Sequence, residues 1–151
     1  MQYHTHIAFS GMIGLSVVSL IPVTDPTMYI IGLTVGAILP DIDHPKSKIS
    51  NKIPIIPSLV STIFTHRTFF HSVLFLVCLT LLYGFFPQSI VTGIIIGAAG
   101  HIIGDMLTPA GVKLLYPFGN YIRFPFNFKT GGVIEQICFL LFTIVTIKLI
   151  H

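Results

Sequence analysis

The chain has 151 residues, of which 53% are hydrophobic and only 9% are charged. A soluble domain carries roughly 25% charged residues, so this composition excludes a water-coated globule and a disordered chain. The net charge of +3 comes from eight basic residues among apolar runs, which form no stripe for binding nucleic-acid phosphates. The composition therefore predicts a single domain, residues 1–151, embedded in a lipid bilayer.

Five apolar segments predict an all-α membrane protein with about five transmembrane helices. A helix needs about 20 apolar residues to cross the roughly 30 Å hydrocarbon core of a bilayer. Four segments approach that length, and the shorter fifth could span only by tilting, by thinning the lipid or by packing within the protein. The four longer segments are residues 7–23, 69–86, 88–107 and 133–150, and the fifth is residues 28–39.

Two further segments are predicted to lie at the membrane surface. Residues 53–64 are apolar but short and contain two prolines, which favours an interfacial or re-entrant helix. Residues 108–132 carry six aromatic and three basic side chains and are predicted as an interfacial aromatic loop or a hairpin turning at Gly119 and Asn120. Such a loop anchors a protein at the interface, or it covers a site as a lid.

The distribution of basic residues predicts the orientation in the membrane. With five spans, residues 40–68 and 108–132 lie on one side, and they hold seven of the eight basic residues. The positive-inside rule makes that side cytoplasmic. Four of the five acidic residues and six of the seven histidines fall at this cytoplasmic end. The sequence therefore predicts a polar site that faces the cytoplasm.

Two ionisable residues inside the predicted fourth span give the clearest functional signal. An ionisable side chain costs about 2.5–3.5 kcal/mol to insert into a membrane and usually marks a functional site. His101 and Asp105 are four residues apart, so they share a helical face and can bind the same metal ion. The alternative is a His–Asp hydrogen bond that only joins two helices.

A pair of carboxylates follows the predicted second span. Asp41 and Asp43 come directly after Pro40, near which the helix is expected to end. The carboxyl end of a helix dipole disfavours negative charge, so two carboxylates at this position favour a bound cation. The alternative is that both are solvated loop residues.

Polar residues also mark the start of the third and fifth predicted spans. Thr68 is predicted to cap the third span, which places His71 in its first turn and His66 just before it. Arg67 beside a helix N-terminus can bind a phosphate or carboxylate group, or its side chain can extend to the lipid headgroups. Glu135 can be a metal ligand, a general base, or simply a favourable charge at a helix N-terminus.

Eight side chains are candidate metal ligands, which is more than one tetrahedral ion needs. We therefore expect one or two divalent ions. Imidazole and carboxylate donors without thiolate suit Zn²⁺, Mn²⁺ or Fe²⁺ and do not choose among them. Of the three metals we expect Zn²⁺ first. The candidates are His6, Asp41, Asp43, His44, His66, His71, His101 and Asp105.

Four motifs, in chain order, resemble those of the YdjM-like inner-membrane metal-dependent hydrolase family. They are Thr5-His6, Leu39-Pro40-Asp41-Ile42-Asp43-His44, His66-Arg67…His71-Ser72 and His101…Asp105…Thr108…Gly111. More distantly, the run from Gly36 to Asp41 with a later His-x-x-x-Asp is similar to zinc-dependent phospholipase C, an all-helical phosphodiesterase. The resemblance implies metal-dependent hydrolysis of a phosphoester or another ester.

The expected function is therefore a membrane-embedded hydrolase that acts on a membrane lipid or a lipid-linked substrate at the cytoplasmic headgroup level. Bound ions would activate water, Asp43 or Glu135 would serve as base, and Arg67 would hold the anionic group. No nucleic-acid partner is expected. Two other functions remain open, namely a metal or proton transporter, which needs its site near the membrane midplane, and a non-catalytic scaffold with a structural metal.

Overall fold

The structure is a computed structural model that describes residues 1–43 and 67–150. Within these residues the chain forms five α-helices, connected by loops and short 3₁₀ turns. The prediction of an all-α protein is therefore confirmed, whereas the helix predicted at 53–64 lies outside the described residues. The helices are α1 (Tyr3–Val17), α2 (Pro26–Gly36), α3 (Val73–Leu79), α4 (Gln88–Met106) and α5 (Val133–Ile150).

Glycines allow α2 and α4 to pack with their backbones in contact. A Cβ atom on Gly36 would collide with the carbonyl oxygen of Ile94, and one on Gly97 would collide with that of Leu33. Small residues at four-residue spacing are typical of close helix pairs in membranes. The four glycines that face each other are Gly32 and Gly36 on α2 and Gly93 and Gly97 on α4. This contact fixes the end of α2 beside the second half of α4.

Hydrogen bonds from side chains to backbone carbonyls hold α1 against its neighbours. The Ser10 hydroxyl donates to the carbonyl of Gly97 on α4, at 3.1 Å. The Tyr29 hydroxyl of α2 donates to Gly14 at 2.9 Å, and Thr146 Oγ1 of α5 donates to Ala8 at 3.2 Å. Helix α1 is thus bonded to α2, α4 and α5, and its first turns lie beside the last turns of α4.

Two helices of the described chain are long and apolar enough to cross a membrane, namely α4 and α5. The outward side chains of α5 are apolar and exposed, as expected for a helix solvated by hydrocarbon. Helix α1 is shorter because it passes into a 3₁₀ turn, Val18–Leu20, ahead of Pro22. The five helices agree with the five predicted segments, but their lengths support only two clear spans.

The third predicted span begins later than expected. Residues Phe69–His71 form a 3₁₀ turn, and α3 begins only after it. The α3 cap is Ser72, whose hydroxyl accepts a hydrogen bond from the Phe75 N–H at 3.3 Å. The prediction that Thr68 caps this helix is therefore wrong. His71 precedes the helix instead of lying in its first turn.

Residues 108–132, which we call the aromatic loop, follow α4 and lead to α5. The loop contains a single antiparallel bridge, in which Val112 and Ile122 exchange two backbone hydrogen bonds at 3.0 and 2.8 Å. The predicted hairpin with a two-residue turn at Gly119 and Asn120 is therefore wrong. Gly111 makes the bridge possible, because it has a φ of +64° and a Cβ there would collide with the Ile122 carbonyl.

The side chain of Glu135 joins the beginnings of α1 and α5. Its carboxylate is fully buried and accepts hydrogen bonds from the N–H groups of Gln2 and Gly131, both at 2.6 Å. Backbone N–H groups at a helix N-terminus have no acceptor within the helix. A carboxylate at this position accepts their hydrogen bonds and interacts favourably with the positive end of the helix dipole. This contact holds the first turn of α1 in place.

We expect Gly97→Ala to destabilise the protein by about 1–3 kcal/mol, because the added methyl group overpacks a contact between two backbones. Thermal unfolding of the purified protein in detergent measures the change. The matched control is Gly84→Ala, since a Cβ at Gly84 meets nothing within 4 Å. Equal unfolding temperatures for the two variants would show that α2 and α4 do not pack this closely.

We expect Glu135→Ala to destabilise the fold by about 1–3 kcal/mol for each buried N–H group that loses its acceptor. The control is Gln136→Ala, which removes one exposed hydrogen bond to Gln2 and should change stability by no more than about 0.5 kcal/mol. The same unfolding measurement compares them. An unfolding temperature of Glu135→Ala equal to that of the control would contradict the structural role.

Candidate metal centre

Four side chains from three parts of the fold meet at one end of the helices. Each offers one ligand atom, and these atoms all lie within 4.8 Å of one another. His101 and Asp105 lie in the last turns of α4, Asp41 in the 3₁₀ turn after α2, and His71 in the turn before α3. We call these four residues the His/Asp cluster. Three of them are buried, and Asp41 is the partly exposed member.

The His101 ring is oriented by the backbone of α2. Its Nδ1 atom lies 2.7 Å from the carbonyl oxygen of Ala37, which can only accept, so Nδ1 carries the proton. In a neutral ring Nε2 then presents a lone pair, and it lies 3.6 Å from Oδ1 of Asp41. Two acceptors that face each other require a proton or a cation between them. A histidine that binds a metal through one ring nitrogen usually donates the N–H of the other nitrogen to a carbonyl or carboxylate, and His101 has this arrangement.

The carboxylate of Asp41 is ionised at neutral pH. Burial raises the pKa of this group, but the adjacent His101 ring lowers it, and the net result is a pKa below the usual range. The same oxygen lies 3.9 Å from Nε2 of His71. Asp41 therefore supplies a negative charge between two imidazoles at the end of α2.

Asp105 is the most heavily contacted carboxylate among the described residues. Its Oδ1 atom lies 2.6 Å from the α-amino group of Met1 and 3.3 Å from Nε2 of His6. Its Oδ2 atom lies 3.2 Å from the guanidinium of Arg67 and 3.4 Å from Nε2 of His71. Each carboxylate oxygen thus lies against one formally positive group and one imidazole ring.

His6 adds a third imidazole beside the His/Asp cluster. Its ring stacks on the ring of His101 with centroids 3.7 Å apart and planes at 9°. Neither nitrogen of His6 makes a hydrogen bond within the described part of the chain, and the ring is buried. Two protonated rings at this separation would repel each other strongly, so the stack favours a neutral ring with a free lone pair. His6 is therefore available as a further ligand.

Arg67 is held in a conformation that few residues other than glycine adopt. Its φ is +65°, in the left-handed region, which costs about 1 kcal/mol or more and is often found at functional sites. The guanidinium donates to Thr108 Oγ1 at 3.0 Å and to the carbonyl of Gly111 at 3.4 Å, in addition to its contact with Asp105. These contacts direct the positive charge toward the His/Asp cluster.

Thr108 belongs to the fourth motif of the family resemblance, but the sequence reasoning gave it no role at the site. Its hydroxyl donates to the carbonyl of Asp105 at 2.8 Å and accepts from Arg67, so it links the end of α4 to the guanidinium. The available signal was its position three residues after Asp105, where a threonine can bond back to the last turn of a helix.

The structure brings five of the eight predicted metal ligands together and leaves three without a described position. His6, Asp41, His71, His101 and Asp105 lie within the cluster or against it. His44 and His66 lie outside the described residues, and so does the side chain of Asp43. Glu135 accepts two backbone hydrogen bonds, which favours a structural role over the predicted role as base. Its part in catalysis stays a prediction.

The donors present fit a divalent cation. Imidazole nitrogens and carboxylate oxygens, with no thiolate in the cluster, are suitable ligands for zinc, manganese or ferrous iron. The buried nitrogens of His6 and Nε2 of His101 lack hydrogen-bond partners within the described residues. Buried polar atoms without partners are costly, and a bound cation would satisfy them.

Comparisons with known proteins agree with a membrane location. The family model described as YdjM inner membrane protein matches residues 1–150. The chain is 41% identical over 115 residues to YvsG of Bacillus subtilis strain 168, an alignment covering 75% of this chain and 72% of that protein. It is 38% identical over 114 residues to the inner membrane proteins YdjM of Escherichia coli K12 and Shigella flexneri.

The alignments with the two YdjM proteins cover 70% of this chain and 58% of each relative, so the chain spans less than two thirds of their length. No solved structure matches the chain. The family model matches nearly all residues, and the similarity to YvsG agrees with it, so together they establish which family the chain belongs to. The chain belongs to the YdjM inner membrane protein family.

Proposed function

We propose that this protein is a metal-dependent hydrolase that cleaves a phosphoester, or another ester, of a lipid or lipid-linked substrate at the cytoplasmic surface of the inner membrane. The observation that carries the proposal is the buried His/Asp cluster, whose four ligand atoms lie within 4.8 Å of one another. Buried ionisable groups in a membrane protein are energetically costly and usually mark a functional site.

The cluster is suited to hold one ion and, with His6, part of a second. His71, His101, Asp41 and Asp105 supply four donors, the number that a tetrahedral zinc site uses. His6 contacts Oδ1 of Asp105, whereas His71 contacts Oδ2, so the two oxygens face different imidazoles. When bound, a divalent ion would acidify a water molecule and neutralise charge on the oxygen of the reacting group.

Arg67 is the residue best placed to bind an anionic substrate group. A guanidinium has five N–H donors, and the described contacts to Asp105, Thr108 and Gly111 leave donors for a phosphoryl or carboxylate oxygen. Its side chain is 17% exposed, so it borders the site from the solvent side. Arg67 would orient the scissile group against the carboxylates, and a planar, fixed guanidinium does this better than a lysine.

The position of the cluster in the fold supports a substrate from the membrane surface. His101 and Asp105 lie in the last six residues of the 19-residue α4, so the site is at one end of a helix that can span. A transporter binds its cargo near the midplane, between two gates. Of the basic residues in the described chain, Arg67 and the three in residues 108–132 lie on this side, whereas Lys148 is at the far end of α5, which supports a cytoplasmic orientation.

We expect the purified protein to contain a stoichiometric divalent metal and Asp41→Asn to lose it. Removing a ligand should weaken metal binding by more than the roughly 10–100-fold that loss of an outer hydrogen-bond partner costs. Inductively coupled plasma mass spectrometry after gel filtration measures the content. The matched control is Asp25→Asn, which changes the acid at the other end of α2 and should keep the metal. Full metal content in Asp41→Asn would argue against this site.

We expect Arg67→Gln to lower kcat/KM by about 100-fold, since loss of one preorganised donor to a developing charge has an effect of that size. The variant also loses the positive charge beside the buried Asp105, so it should unfold at a lower temperature, and its activity is compared below that temperature with the metal bound. Mass spectrometry of the hydrolysis products of phosphatidic acid, phosphatidylglycerol and a polyprenyl phosphate in mixed micelles measures activity. Lys148→Gln, at the end of α5, is the control and should remain fully active.

This comparison separates an enzyme from a scaffold with a structural metal. A scaffold predicts no turnover of any of the three lipids by the wild-type protein, with or without added zinc. It also predicts equal behaviour of Arg67→Gln and Lys148→Gln. Either result would contradict the proposed catalytic role.

A further inference from the structure

We propose that the aromatic loop is a docking surface for anionic phospholipid headgroups of the leaflet beside the His/Asp cluster. The loop connects α4 and α5, the two helices of the described chain that are long and apolar enough to span. A connection between two spanning helices has to lie at one surface of the bilayer. The last turns of α4 carry the cluster, so the loop and the cluster are at the same surface.

Large apolar side chains of the loop are left uncovered by the described part of the chain. Phe118 is 79% exposed and Phe126 is 88% exposed, and Leu115 and Tyr121 are exposed as well. Aromatic side chains are enriched at the level of the headgroups, where the ring contacts hydrocarbon and the polar groups remain hydrated. Exposed side chains of this size are costly in water, which favours a loop seated in the interfacial region of the membrane.

The charge of the loop complements an anionic membrane surface. Residues 108–132 contain Lys113, Arg123 and Lys129 and include no aspartate or glutamate. Basic residues near the anionic cytoplasmic leaflet are attracted to it, and the attraction decreases within a Debye length. Aromatic rings alone would suit any lipid, whereas the three positive charges select negatively charged headgroups.

Hydrogen bonds attach the backbone of the loop to the end of α4. The N–H of Phe124 donates to the Met106 carbonyl at 2.9 Å, and that of Phe128 donates to the Leu107 carbonyl at 3.0 Å. Arg123 donates to the Pro109 carbonyl at 2.9 Å. A loop held by several hydrogen bonds loses little conformational entropy when it binds lipid.

The same loop contacts the residue assigned above to substrate binding. The N–H of Lys113 donates to the Arg67 carbonyl at 3.0 Å, and the Gly111 carbonyl accepts from the Arg67 guanidinium. Lipid docking would therefore hold Arg67 at the depth of the headgroups. The docking requires no hydrolysis, so it goes beyond the proposed function and can be tested without any substrate turnover.

The chain contains no tryptophan, which makes Phe126→Trp a single fluorescent probe of the loop. The variant is reconstituted in nanodiscs whose lipids carry bromine either near the headgroup or near the chain ends. Bromine quenches tryptophan fluorescence on contact, so the extent of quenching reports the depth of the side chain. We expect stronger quenching by bromine near the headgroup. Leu141→Trp, at an exposed position in the middle of α5, is the matched control and should show the reverse order.

A second experiment tests whether the loop prefers anionic headgroups. A small fraction of brominated phosphatidylglycerol, or of brominated phosphatidylcholine, is added to unbrominated phosphatidylcholine, and the quenching by the two lipids is compared. Phosphatidylglycerol should quench the tryptophan in Phe126→Trp several-fold more efficiently. Adding Lys129→Gln should reduce that preference without abolishing it, because Lys113 and Arg123 remain, and the reduction should not exceed about fivefold, the factor that corresponds to about 1 kcal/mol for one basic residue near the surface.

Three results for Phe126→Trp would overturn the proposal. They are no quenching by either position of bromine, stronger quenching by bromine near the chain ends than near the headgroup, and equal quenching by the two lipids. If Phe126→Trp lowers expression, Phe118→Trp is the second probe and carries the same expectations. A loop that fails these tests would leave the metal and activity measurements unaffected, so failure of the docking surface is distinguishable from failure of the proposed function.

Discussion

The buried negative charge of Asp105 is the feature on which the rest of the site depends. A carboxylate removed from water costs several kcal/mol unless it is paired, and this one is almost completely buried at the end of α4. Arg67, in the segment before α3, supplies a positive charge 3.2 Å from Oδ2 of Asp105. The first turn of α1 and the turn before α3 place His6 and His71 against the two carboxylate oxygens. Contacts with one carboxylate therefore bring three helix ends together.

The close packing of α2 on α4 completes the site from the other side. Because Gly36 and Gly97 let the two backbones touch, the carbonyl of Ala37 reaches His101 and fixes the orientation of its ring. The following turn then places the Asp41 carboxylate 3.6 Å from His101 Nε2. A contact that stabilises the bundle thus also positions two of the four cluster residues.

Much of the site could be predicted from the sequence, because the helical period and the helix ends are local properties. The spacing of His101 and Asp105 implied a shared face, and the carboxylates after Pro40 implied a site at a helix end. The left-handed backbone of Arg67, the linking hydroxyl of Thr108 and the backbone contacts of Glu135 depend on where distant segments meet. The sequence did not predict the bridge between Val112 and Ile122, because nine residues separate these two partners. Turn patterns in a sequence identify tight turns of two residues and not a connection of this length.

The central claim is that this family member holds a divalent metal with imidazole and carboxylate ligands at one surface of the membrane. X-ray absorption at the zinc edge of the purified protein tests it most directly, because it reports the ligand atoms of the bound ion. The expected spectrum shows only nitrogen and oxygen ligands at about 2.0–2.1 Å, with the outer-shell scattering of imidazole. A spectrum without imidazole scattering, a spectrum with sulfur ligands, or the absence of a stoichiometric metal would contradict it.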